Sequence, residues 1–338
     1  MNSKCLPFAL LSLLLVFGAP LPAICQNAHR EFKNPVVAHG QDPWVIREGT
    51  NYFLCQSRGS GVWVNRATRL EDIGVDHWRC VWQAPTNTPY SREIWAPELH
   101  FLQGKWYIYV AADDGANPHH RMYVLEGTAN DPQAPFAFKG KIAAPIDCWA
   151  IDGTVLEMLE GKLYFIWAGW PEATDGVQNL YIAPMSNPWT ISGERVCISQ
   201  PDRSWEQHDF PHINEGPETL WHNGRLFIIY SASGFWDVNY CLGELNWMGG
   251  DVMNPKSWTK TAQPVFARTE DVFGPGHCSF TKSPDGKEDW IVYHALVAKD
   301  SKRRDVRIQP FTWNADGTPN FGKPVSSTVS LPPPSGEN

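Results

Sequence analysis

One pattern recurs five times along the chain: a glycine, a few residues, and then an apolar run rich in aromatic residues. The glycines are Gly49, Gly104, Gly161, Gly224 and Gly286, spaced by 55, 57, 63 and 62 residues. A second apolar segment precedes each glycine, so each repeat predicts a β-hairpin whose turn uses glycine for its positive φ. Five such repeats over nearly the whole chain predict an all-β fold, a five-bladed β-propeller with four strands a blade.

Domain boundaries follow from the same pattern. We predict a signal peptide over residues 1–25, because one lysine precedes an apolar run of about a dozen residues that is too short to span a bilayer. Residues 26–330 form a single propeller, the catalytic domain, since no Pro/Ser-rich hinge divides them. Residues 331–338 are expected to be a frayed tail. The protein is therefore expected to be secreted, extracellular or, in a bacterium, periplasmic.

Composition excludes several classes of partner. The chain has 28 Lys and Arg against 36 Asp and Glu, so it has no basic surplus for nucleic acid or anionic membranes. No later segment is apolar enough to span a membrane. Six cysteines follow residue 25 without CxxC spacing, which disfavours a zinc knuckle and leaves both buried thiols and disulfides open.

Polar residues begin the first strand of each repeat: Asp42, Glu98, Asp152, Glu215 and His277. The first strands of propeller blades line the central axis, so these side chains are expected to meet at one end of the channel. Crowded carboxylates raise one another's pKa, which suits acid–base chemistry. Without a nucleophile elbow, HExxH or P-loop, they favour glycoside hydrolysis, in which one carboxyl protonates the leaving oxygen and another activates water.

The motifs resemble glycoside hydrolase family 43, the five-bladed arabinofuranosidases and xylosidases. The resemblance covers about residues 34–325 and rests on GQDPWVIREG, WAIDGTVLEM, INEGPETLWH and GPGHCSFTKS in successive repeats. It implies Asp42 as general base, Glu215 as general acid and Asp152 as the residue that tunes the acid. It also implies an inverting mechanism, for which the two carboxyls should be ~6.5–9.5 Å apart.

Further residues enter through the same resemblance. His277 matches the axial histidine, Arg307 a substrate-facing arginine, and Trp95 is expected to be a wall of the sugar pocket. The family does not assign proton transfer to Glu98, and Glu218 was expected to point away from Glu215. No cofactor is expected for the chemistry, whereas the oxygen-rich axis suits a structural Ca²⁺ or Na⁺ beside His277.

The family members that remove single arabinofuranose units from chain ends are those most similar to the blade motifs HFLQGKWYIYVAADDG, NLYIAPMSNPWTISGE and NPKSWTKTAQPVF. The expected function is exo-acting α-L-arabinofuranosidase activity on arabinan, arabino-oligosaccharides or arabinoxylan of plant cell walls. A β-xylosidase with the same residues is the alternative, and a non-catalytic sugar-binding propeller is the alternative of another class.

Overall fold

The computed structural model describes residues 1, 30–75, 77–128, 130–174 and 176–337. The predicted signal peptide lies outside these residues, apart from Met1. Described here is the compact unit that begins at Glu31.

Five antiparallel sheets follow one another along the chain, each built in chain order from its innermost strand outward. Blades 1 and 2 contain β1 (Trp44–Glu48), β2 (Asn51–Arg58), β3 (Gly61–Ala67), β4 (Arg79–Gln83), β5 (Arg92–Leu102), β6 (Lys105–Asp113), β7 (Arg121–Glu126) and β8 (Ala137–Ile142). Blade 3 contains β9 (Ala150–Glu157), β10 (Leu163–Gly169) and β11 (Asn179–Asn187), with β12 (Thr190–Ile191) and β13 (Val196–Ser199) both paired to β11. Blades 4 and 5 contain β14 (Asn214–His222), β15 (Arg225–Ala232), β16 (Cys241–Trp247), β17 (Trp258–Lys260), β18 (Phe273–Lys282), β19 (Asp289–Leu296), β20 (Arg304–Trp313) and β21 (Pro319–Asn320).

The innermost strands of neighbouring blades contact one another, and β18 contacts β1 to close the ring. The predicted five-bladed propeller is confirmed. The helical turns among the described residues are three short 3-10 segments, Asn117–His119, Ser204–Glu206 and Pro255–Ser257.

The five hairpin glycines have the predicted conformation, with φ between 58° for Gly49 and 81° for Gly161. Each lies between the first and second strand of its blade. These turns mark where every innermost strand ends and the second strand of its blade begins.

Apolar residues pack between blades. Phe53 of blade 1 contacts Trp106 of blade 2, with ring centroids 6.4 Å apart, and Tyr109 of blade 2 lies 5.5 Å from Phe165 of blade 3. The six cysteines after residue 25 are free thiols, and Cys55, Cys241 and Cys278 are buried. The thiol interpretation therefore holds over the disulfide alternative.

Both ends of the described unit attach to blade 5. Val37 pairs with Val306, and Phe32 pairs with Leu331. Beyond Leu331, the Ser335 amide donates to Glu288 at 3.0 Å. The expectation of a frayed tail was wrong for residues 331–337, because these backbone contacts hold the segment against the propeller.

Candidate active site

A cavity of about 360 Å³ opens at the end of the propeller axis where the innermost strands begin. Its wall combines three acidic residues, a histidine and an arginine with five aromatic side chains. These are Asp42, Asp152, Glu215, His277, Arg304, Trp95, Trp149, Trp170, Phe235 and Trp236. The structure therefore brings the three predicted carboxyls together with His277 and Trp95.

Left-handed backbone turns the acidic residues toward this cavity. Asp42, Asp152 and His277 have φ of 46°, 52° and 44°, and Gly216, beside Glu215, has φ of 52°. The pairing register of β9, β14 and β18 shifts at these positions. Such bulges re-aim side chains and are common next to active sites. Positive φ strains a non-glycine residue, and strain of this kind is concentrated at functional sites.

Asp42 is surrounded by nitrogen atoms. One of its carboxylate oxygens, Oδ1, accepts from Nη1 of Arg304 at 2.7 Å and lies 3.3 Å from Nδ1 of His294 and 3.5 Å from Nδ1 of His277. Burial alone would raise the pKa of Asp42, but Arg304, assisted by the two histidines, outweighs it and holds that pKa well below its usual range. The Asp42 carboxyl is accordingly ionised at neutral pH.

Glu215 has the opposite electrostatic surroundings. It is buried, and its Oε1 accepts from the Tyr240 hydroxyl at 2.8 Å. Burial, reinforced by the negative charge of Asp42, raises the pKa of Glu215 to about 7, although Tyr240 and Arg304 both act to lower it. One cavity thus contains an ionised carboxylate and a carboxyl that retains its proton near neutrality.

Asp152 lies beside Glu215, and its Oδ2 accepts from the Gly216 amide at 3.1 Å. Burial and the neighbouring charges of Glu215 and Asp42 raise the pKa of Asp152 well above its usual range. The two carboxyls therefore share protons as a pair.

His277 is fixed from two sides. Its amide donates to Oγ of Ser231 at 2.8 Å, and its ring lies against Gly216, where a Cβ atom would come within 3.2 Å of Nδ1. Three possible ligand atoms, one each from Asp152, Glu215 and His277, lie within 4.8 Å of one another. The two carboxyls offer the oxygen ligands that Ca²⁺ prefers, whereas the imidazole of His277 is a ligand typical of transition metals, so these three residues match Ca²⁺ only in part.

Indole rings form the cavity walls. Trp149 and Trp170 stack with centroids 4.8 Å apart, and Trp95 stacks on the buried ring of His120 at 4.0 Å. The guanidinium of Arg304 lies over Phe235 at 4.1 Å. A wall of flat apolar faces beside charged groups suits the CH faces and hydroxyls of a sugar.

The expectation for Arg307 was wrong. Arg307 is buried and binds Asp305 through two contacts, at 2.7 and 3.1 Å, and it is not among the cavity residues. Arg304 takes the expected place, because β20 begins at Arg304 beside the cavity. A separation of three residues turns Arg307 to the other face of the strand.

Two glutamates lie deeper along the axis. Glu218 is buried and hydrogen-bonded to Glu98, which in turn binds Nε2 of His100 at 2.9 Å. Burial, with the adjacent Glu98, raises the pKa of Glu218 well above its usual range. The expectation that Glu218 points away from Glu215 was wrong, because the bulge at Gly216 shifts the alternation by one residue.

Sequence reasoning did not identify His294, Tyr240 or Arg304. His294 lies on β19 and Tyr240 directly precedes β16. These residues lie on or just before second and third strands of their blades, outside the strand-start pattern that identified the axial residues.

Comparison with known proteins shows the family of the chain. The model of the glycosyl hydrolases family 43 matches residues 32–319. An extracellular exo-α-(1→5)-L-arabinofuranosidase of Streptomyces avermitilis is 39% identical over 94% of this chain and 69% of its own length. An α-L-arabinofuranosidase 43 of Humicola insolens is 36% identical over 91% of this chain and 67% of its own length.

A solved structure gives the same result. The crystal structure of an α-L-arabinofuranosidase from Lactobacillus brevis superposes with a TM-score of 0.82 at 38% identity, covering 88% of this chain and 98% of that one. The cavity with its three carboxyls, the five blades and these matches agree, and the chain is a glycosidase that belongs to glycosyl hydrolases family 43.

Proposed function

We propose that the protein is a secreted, inverting exo-α-L-arabinofuranosidase that releases terminal arabinofuranosyl residues from arabinan, arabino-oligosaccharides or arabinoxylan. The opposite electrostatics of Asp42 and Glu215 in one cavity carry this proposal, because a glycosidase of this type needs one ionised and one protonated carboxyl. The two relatives and the solved structure described above are each named an arabinofuranosidase, which supports the choice of sugar.

In the proposed mechanism, Glu215 donates its proton to the glycosidic oxygen as the bond to C1 breaks. Asp42 accepts a proton from a water molecule as that water attacks C1 from the opposite face, which inverts the anomeric configuration. Arg304 keeps Asp42 ionised and fixes its Oδ1 by the 2.7 Å hydrogen bond. Asp152 positions the acid through the Gly216 amide, and the two adjacent carboxyls titrate as a pair.

The cavity also supports removal of single end units. At about 360 Å³ it is at the small end of the range for ligand sites, and indole rings limit its width. Trp95, His277 and Arg304 are the proposed substrate contacts, with Arg304 in the place expected of Arg307. A β-xylosidase is the second candidate, because a pentopyranose presents similar hydroxyls to the same residues. The complete set of three carboxyls disfavours a non-catalytic sugar-binding propeller.

We propose no cofactor for the chemistry. A structural Ca²⁺ or Na⁺ would be held by His277 with oxygen ligands of Asp152 and Glu215 and would neutralise charge there. A cation bound to Glu215 would lower the pKa of that carboxyl, so this ligand and the acid role exclude each other. Dialysis against a chelator should therefore preserve hydrolysis of an aryl arabinofuranoside.

Secretion is proposed from the predicted signal peptide and from the Streptomyces avermitilis relative, which is named extracellular. Among the described residues, no helix has the length and hydropathy to cross a membrane.

The test is a product assay on 4-nitrophenyl arabinofuranoside, 4-nitrophenyl xyloside, linear arabinan and arabinoxylan, with the released sugar identified. Proton NMR of the first product formed gives its anomeric configuration. Arabinose of inverted configuration is expected. Release of xylose alone would favour the β-xylosidase, and a retained anomer would contradict the water-activating role of Asp42.

A further inference from the structure

A second depression, the blade-2 groove, has a volume of about 430 Å³ on the same face of the propeller. Aromatic and polar side chains line it together, namely Tyr90, Tyr123, Phe138, His119, Arg121 and Asp147.

Two chain segments connect the groove with the cavity. Asn117 lines the cavity and His119 lines the groove, and likewise Trp149 lines the cavity and Asp147 the groove. Residues two apart have Cα atoms at most about 7.6 Å apart. The indole of Trp149 donates to Asn117 at 3.4 Å, so the two segments form one wall, with the cavity on one side and the groove on the other.

The groove exposes an apolar ring that lies outside the buried core. Phe138 is on β8, the outermost strand of blade 2, and 37% of its surface is exposed. It stacks on Tyr90 with centroids 4.1 Å apart and an interplanar angle of 11°, and Tyr123 packs beside both rings. A fixed, partly exposed ring of this kind offers a flat face to the CH groups of a sugar.

The polar groups of the groove are paired, so they favour an uncharged ligand. Arg121 and Lys141 both bind Asp147, at 2.7 and 2.5 Å, and His119 binds Asp114 at 2.9 Å. Charged groups held in pairs still offer hydrogen bonds to hydroxyls, whereas an anion or cation would compete with the partner already bound.

We propose that the blade-2 groove binds the sugar units of the polysaccharide that follow the one cleaved, with one sugar ring against Phe138. The identity of this polysaccharide, arabinan, rests on the proposed function. The remaining polysaccharide would leave the cavity over the wall formed by Asn117 and Trp149, and the groove offers an aromatic surface beyond that wall.

Phe138→Ser tests the groove, with Phe101→Ser as its matched control. Phe101 is also an exposed phenylalanine of blade 2, but it lies near the far end of β5, away from the cavity. We expect Phe138→Ser to lower kcat/KM on linear arabinan about two- to tenfold, the size of one aromatic contact, and to leave the aryl arabinofuranoside unchanged. Phe101→Ser should change neither. Equal rates on arabinan for both variants and the parent protein would overturn the proposal.

Binding is measured separately in the Asp42→Ala background, by retardation in native gels containing arabinan or arabinoxylan. Introducing Phe138→Ser into the Asp42→Ala variant should reduce the retardation. Introducing Phe138→Trp instead should preserve or increase it. Retardation that is the same with Ser, Phe and Trp at this position would overturn the proposal, even if Phe138→Ser lowers stability. If the parent protein cleaves no arabinofuranoside, the proposed function fails, while the gels still decide whether the groove binds polysaccharide.

Discussion

Replacing Glu215 by Gln is expected to abolish turnover of natural substrates and, at alkaline pH, to stabilise the fold. Glutamine retains an oxygen that accepts from Tyr240 but cannot ionise. The buried Glu215 carboxyl has its pKa raised from 4.5 to about 7. A carboxyl with a raised folded-state pKa destabilises the protein at pH values above its unfolded pKa, and that cost grows until the pH passes the folded pKa.

The size of the effect follows from these two values. At about 1.4 kcal/mol for each pH unit between 4.5 and about 7, the ionised Glu215 costs ~3 kcal/mol at pH 8.5. Near pH 5.5 the folded carboxyl is protonated and the unfolded one largely ionised, so the cost falls to ~1 kcal/mol.

Urea unfolding of the parent protein and Glu215→Gln at pH 5.5 and pH 8.5 measures this difference. Glu157→Gln, at the exposed end of β9, is the control and should give no pH-dependent gain. A Glu215→Gln variant that is less stable than the parent at pH 8.5 would refute the reasoning, since it would mean that the fold stabilises an ionised Glu215, as a bound cation would.

Three further predictions test the surroundings of the carboxyls. Arg304→Met should raise the pKa of Asp42 and move the acidic limb of the kcat/KM–pH profile upward, and an unmoved limb would mean that Arg304 does not control the base. Asp152→Asn should lower kcat and move the basic limb downward, whereas a loss of kcat with no shift would indicate a positioning role alone. Gly216→Ala and Gly224→Ala both place a side chain at positive φ and should each cost at least about 1 kcal/mol in urea unfolding. Only Gly216→Ala, whose Cβ would crowd the His277 ring, should lower activity, and equal activities would contradict the site geometry.

The sequence pattern predicted the axial residues because turn glycines and strand starts are local features. Asp42 lies just before an innermost strand, and Asp152, Glu215 and His277 lie in the first half of theirs. The ring of blades brings all four together at one end of the axis. The fold and the axial residues could therefore be predicted from the sequence.

Features that depend on exact register were not predictable in this way. Arg304 and Arg307 are three residues apart on β20, and no sequence pattern shows which one begins the strand at the cavity. The orientation of Glu218 depends on the bulge at Gly216, which breaks the two-residue alternation of a strand. His294 reaches Asp42 from a second strand, so only three-dimensional packing brings them together.

The most direct test of the central claim compares Asp42→Ala with Glu215→Ala on two leaving groups. Protonation matters most for a sugar alcohol and least for a nitrophenol, which departs unaided, whereas water activation matters for both. Glu215→Ala should lose about 10²–10⁴-fold on arabino-oligosaccharides yet retain much more activity on 4-nitrophenyl arabinofuranoside. Asp42→Ala should be impaired on both, and added azide should restore turnover with an arabinosyl azide of inverted configuration. The account would be contradicted if Asp42→Ala retained activity on the nitrophenyl substrate while Glu215→Ala were impaired equally on both substrates. That result would mean that the two carboxyls have the opposite roles.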